Sequence, residues 1–89
     1  MFGIPGKAAV TLTTSATRQI TRLMQREGSQ GLRIGVKKGG CAGMEYTMEY
    51  VSSVNPLDDV VEQDGARVMI APMAQMFLIG TEIDYETGL

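Results

Sequence analysis

Cys41 is the only cysteine of the chain, and it stands in the run Gly39-Gly40-Cys41-Ala42-Gly43, just after Lys37 and Lys38. Glycine has no Cβ, so it accepts positive φ and lets backbone or ligand come close. Around a thiol this has two consequences. The sulfur is not shielded by neighbouring side chains, and backbone N–H groups can turn toward it. With two lysines nearby, both features favour the thiolate, which is the nucleophilic and metal-binding form. The plainer alternative is that the glycines serve a tight turn around a passive small residue. Inert buried cysteines belong inside strands and helices, whereas glycine-rich loops bring ligands close. Cys41 is therefore the candidate functional residue, as a nucleophile or as a ligand.

The rest of the composition narrows what that thiol can do. The chain has no histidine, which excludes a Cys–His dyad, a Ser-His-Asp triad and a His-ligated zinc site. One unpaired cysteine forms no internal disulfide and fits a reducing, cytoplasmic interior. The formal net charge of −2 provides no basic field for nucleic acid, and an aromatic fraction of 6% without tryptophan provides no stacking surface. No apolar run approaches the ~18 residues of a membrane span. The segment before Lys7 is broken by Gly3, Pro5 and Gly6 and lacks the apolar core of a secretory signal. At 89 residues the chain is expected to be one domain, 1–89, with a real core.

Periodicity assigns the elements that must hold Cys41. Val10 and Leu12 alternate with polar neighbours as a short first strand, and Thr13 or Thr14 offers a hydroxyl to cap a helix. Ala16, Ile20, Leu23 and Met24 then form one apolar stripe of an amphipathic helix that Gly28 ends. Arg18, Arg22 and Arg26 form a second stripe, readable as a solvated face or as a docking face for an acidic partner. From Leu32 the period falls to two: Leu32, Ile34 and Val36 line one face of a strand. Met44, Tyr46, Met48 and Tyr50 line the next, with the two tyrosines expected in core or cross-strand packing. The cysteine is thus expected at the tip of a β-hairpin.

Residues 55–59, Asn-Pro-Leu-Asp-Asp, read as a loop, and Val60 and Val61 open a further strand. Asp64-Gly65 is a two-residue hairpin signal, with Val68 and Ile70 on the return strand. Pro72 suits the first turn of a short helix whose Met73, Met76, Phe77, Leu78 and Ile79 leave almost no polar face, so burial on several sides is expected. Ile83 and Tyr85 alternate in a last strand. The expected fold class is α+β: short, mostly antiparallel or mixed strands, one amphipathic helix and one short buried helix.

These segments resemble the A-type iron–sulfur cluster carriers, the HesB/IscA/SufA-like family. The likeness is carried by Leu-Thr-Thr-Ser-Ala at 12–16, by the stretch from Leu32 to Tyr50, by Asp-Gly-Ala-Arg-Val-Met-Ile at 64–70 and by Gly-Thr-Glu-Ile-Asp-Tyr at 80–85, in the family's order and spacing. The resemblance implies a HesB-like domain in which Cys41 is the first cluster ligand and Tyr46 a recurrent tyrosine. Ala42 stands where serine is more usual, and Met44 where phenylalanine is. It further implies a Cys-Gly-Cys-Gly tail with two more ligands. The sequence stops at Gly88-Leu89 before any such tail, which leads to the expectation that it is part of a longer protein.

The function implied is non-enzymatic, with no catalytic residues. The protein would bind a 2Fe-2S or 4Fe-4S iron–sulfur cluster, or iron, through Cys41 and pass it from an assembly scaffold to recipient apo-proteins. Because a cluster takes about four donors, a homodimer or tetramer is expected. Two other readings remain open: a metal-free protein-interaction module, and a thiol redox sensor using Cys41.

Overall fold

A computed structural model of the protein describes residues 10–39 and 43–85. Eight elements follow one another: β1 (Val10–Leu12), α1 (Thr14–Glu27), β2 (Gly31–Gly39), β3 (Gly43–Val51), β4 (Asp59–Gln63), β5 (Ala66–Ile70), α2 (Pro72–Leu78) and β6 (Thr81–Ile83). The fold is α+β, as expected, but its strand pairing is more mixed than the local patterns suggest. A four-stranded sheet runs in the order β3-β2-β5-β4, and a two-stranded sheet joins β1 to β6. β2–β3 and β4–β5 are antiparallel hairpins, whereas β2–β5 and β1–β6 are parallel.

Local chemistry explains where α1 starts and stops. The Thr13 hydroxyl accepts the Ala16 N–H at 3.1 Å and donates to the Asp84 carboxylate at 2.6 Å, so the cap also ties the helix to the segment after β6. Gly28 closes the helix with φ 65°, and its N–H and that of Ser29 return to carbonyls of the last turn. The stripe that points inward delivers Ala16 and Ile20 to the core, with Met24 half-buried beside them.

That core is built on one face of the four-stranded sheet. Ile34, Val68 and Ile70 are each no more than 2% exposed, and Val10, Leu12, Ala16 and Ala74 close over them. Gln63 donates to the Leu12 carbonyl at 3.0 Å and to the Thr17 hydroxyl at 3.2 Å, fastening β4 to the β1–α1 corner. The turn at Asp64 and Gly65 has φ values of 48° and 92°, the two positive angles that a tight hairpin of this hand requires.

The opposite face carries Arg33, whose guanidinium meets the fully buried Asp58 carboxylate twice, at 2.7 and 3.0 Å. Asp58 and Arg33 hold the loop after β3 down against the sheet. Burial of the Arg33 side chain is partial, and the bond to Asp58 raises its affinity for its proton above the ordinary value. Met69 is fully buried here as well, and a Cβ at Gly31 would run into its sulfur, so the glycine is a packing requirement.

α2 departs from expectation. Pro72 occupies the first turn and Ala74 is fully buried, but Met73, Met76, Phe77 and Ile79 are 64%, 75%, 49% and 67% exposed. The helix is therefore buried along one side in this chain and not all round. Its two turns lie at the end of β5, and only Ala74 and the half-buried Leu78 reach the core cluster. No described helix is long and apolar enough to cross a membrane.

Candidate functional site

The expected hairpin is present and its geometry is regular. β2 and β3 pair without a break from Gly31↔Val51 to Gly39↔Gly43. The arms thus close on each other at two glycines, and only residues 40–42 lie between those partners in sequence. Cys41 itself falls outside the described residues, as do Gly40 and Ala42.

The inner half of the hairpin is anchored and the outer half is not. Leu32 and Ile34 are buried, whereas their neighbours toward the closing glycines, Lys37, Lys38, Met44 and Tyr46, are exposed. Cross-strand partners share a face in an antiparallel pair. Val36 and Tyr46 therefore continue the apolar face of Leu32 and Ile34, with Val36 still packed against the core and Tyr46 exposed. Tyr46, expected in packing, is 51% exposed, while Tyr50, nearer the core, is half-buried. Burial pushes the Tyr50 phenol up from its ordinary value, with a smaller push from the charge of Glu27.

The polar face of the outer hairpin pairs Lys37 with Glu45, directly opposite each other, at 4.0 Å between Nζ and Oε1. Both side chains are more than half exposed, so this pair stabilises the arms by no more than about 1 kcal/mol. A Cβ at Gly39 would meet the Glu45 side chain, which is exposed and able to swing aside. Sequence reasoning missed Glu45. The hairpin register supplies the signal, since any symmetric closure on residues 39 and 43 sets 37 opposite 45.

Metal donors are few. Among the described residues no group of three His, Cys, Asp or Glu side chains is placed to hold a metal ion. The chain offers one thiol and no imidazole. The described fold is a small α+β core from which a glycine-closed hairpin extends, with the chain's sole thiol falling between its arms in sequence.

The chain belongs to the iron–sulphur cluster biosynthesis family, whose model matches residues 8–89. It is 45% identical over 83 residues to the mitochondrial iron-sulfur cluster assembly 1 homolog of Drosophila melanogaster, covering 92% of this chain and 64% of that protein. Among solved structures, the fold superposes on Escherichia coli SufA, described as involved in biosynthesis of iron-sulfur clusters. There the TM-score is 0.79 and the identity 38%, covering 91% of this chain and 73% of that one. A crystal structure of IscA with its [2Fe-2S] cluster matches with a TM-score of 0.74 at 28% identity, covering 90% of this chain and 76% of that one. The chain thus spans less than two thirds of its Drosophila relative's length.

Proposed function

We propose that the protein is an iron–sulfur cluster carrier that holds its cargo, a cluster or the iron for one, through the Cys41 thiolate and releases it to apo-proteins. The observation that carries this reading is the β2–β3 hairpin. It stays in register up to Gly39↔Gly43 while its outer half stands clear of the core. In sequence, the paired arms bracket the chain's only thiol, and the ends of both arms are exposed or half-exposed. The family membership and the [2Fe-2S] cluster held by the structurally similar IscA support the same cargo.

The donor chemistry fits soft iron, with a consequence for stoichiometry. Thiolates are the usual ligands of such clusters, about four of them, and one copy of this chain supplies one. The others come from a second copy, from residues outside these 89, or from an incoming thiol. A site completed from outside exchanges ligands readily, which is what delivery needs. No covalent substrate is turned over, so the protein is not an enzyme. A homodimer or higher assembly is the arrangement in which a second copy supplies part of that count. The uncovered side of α2, with Met73, Met76 and Phe77, is the surface that such an assembly would bury.

The test is anaerobic reconstitution with ferrous iron and sulfide, comparing the protein with its Cys41→Ser variant. Thiolate-to-iron charge-transfer absorption is expected in the parent and should be lost, with the bound iron, in the variant. Equal spectra and iron content in both would refute the assignment of Cys41.

A further inference from the structure

Arg18, Arg22 and Arg26 follow one another at steps of four on α1, and all three are exposed. At 100° per residue they lie on the side of the helix away from the buried Ala16, Thr17 and Ile20. A solvated face needs polar groups, but not these. Like charges four residues apart destabilise a helix, and the Arg–Glu–Arg alternative would stabilise it. The only acid in α1 is Glu27.

The other arginines of the described fold are satisfied within it, Arg33 by Asp58 and Arg67 by Glu62. Among the described residues no carboxylate lies within ion-pair distance of Arg18, Arg22 or Arg26, and Arg22 donates only to Gln19, at 2.7 Å. The stripe is therefore a local excess of positive charge on a protein whose formal net charge is −2.

The surface on either side of the stripe is grooved. Grooves of about 380 and 650 Å³ run along the two sides of Arg18 and Arg22, so that these guanidinium groups stand as a ridge between them. Thr14 lines both grooves. The first is bordered on its far side by Asp64 and lined in part by Thr21, whose buried hydroxyl has no hydrogen-bond partner among the described residues.

We propose that this face of α1 docks an acidic helix of a partner protein, whose carboxylates at i, i+4 and i+8 meet the three guanidinium groups. The arginines span only ~12 Å along the axis, which two or three turns of a facing helix match. Guanidinium is the side chain suited to paired carboxylates, and the exposed Thr14 hydroxyl beside the ridge supplies a further donor. A longer polyanion, nucleic acid or a lipid surface, would bring its remaining charge against the acidic rest of the protein.

The test uses the metal-free full chain, so its result does not depend on the cargo. A 14-residue alanine-based peptide with Glu at positions 3, 7 and 11 is titrated in by NMR, beside a peptide of the same composition with the Glu positions scrambled. Amide shifts confined to α1 are expected with the spaced peptide only, weakening as salt rises. R22E should lower the affinity at least about fivefold, yet melt at a higher temperature than the parent because it creates the Arg–Glu–Arg pattern. Shifts centred on Lys37 and Lys38, equal binding of the scrambled peptide, or undiminished binding by R22E would overturn the proposal. So would equally tight binding of a 12-mer oligothymidylate or of phosphatidylglycerol vesicles.

Discussion

Replacing Arg33 by Met should cost more stability than any exposed-surface substitution, although Arg33 itself is partly exposed. The reason is its partner. The Asp58 side chain is 0% exposed, and both of its oxygens are bonded to the guanidinium. Deleting the cation leaves a buried carboxylate without compensation, which costs about 3–5 kcal/mol where water is fully excluded. The Arg33 side chain is 29% exposed, so water entering by its path relieves part of this, and we expect about 2–4 kcal/mol. For a domain of this size that lowers the melting temperature by about 10–25 °C. The double variant Arg33→Met, Asp58→Leu removes both charges and should recover at least about half of the loss, since a buried pair replaced by apolar groups is often neutral. Urea unfolding of the parent, both single variants and the double closes the cycle. A loss below about 0.5 kcal/mol for Arg33→Met, or a coupling near zero, would refute the view that this pair pins the loop to the sheet.

Three further outcomes follow from single contacts. The Tyr50 phenol is raised by burial, so the stability it confers is present below its ordinary value of about 10 and is lost as pH rises through the higher folded value; Tyr50→Phe should flatten that alkaline fall in urea unfolding, and an unchanged pH profile would contradict it. Thr13→Ala removes both the α1 cap and the bond to Asp84 and should cost about 1–2 kcal/mol, whereas Thr14→Ala, one position inside the helix, should cost clearly less. Met76→Glu places a charge on the uncovered side of α2, where Met76 is 75% exposed; light scattering should show the assembly shifting to folded monomer, and a parent that is monomeric at all concentrations would remove this surface from the proposed interface.

The sequence by itself determined every element whose cause is local. Thr13 and Gly28 bound α1 because a hydroxyl and a left-handed glycine satisfy groups within one turn of themselves. Asp64-Gly65 makes its hairpin because positive φ is a property of those two residues. The alternation through Leu32–Val36 and Met44–Tyr50 carried the β2–β3 hairpin, and with it the frame around Cys41. Only the tertiary structure decided the rest. No local period marks the parallel pairings of β2 with β5 and of β1 with β6, because nothing in a strand's own pattern names a partner more than thirty residues away. The burial of Asp58, a residue that reads as loop, depends on Arg33 arriving from a strand 25 positions earlier. The all-round apolar pattern of α2 implies that one small domain covers only one stripe of it. That Met73, Met76 and Phe77 are the bare ones was decided by how much surface the neighbouring elements have to cover them.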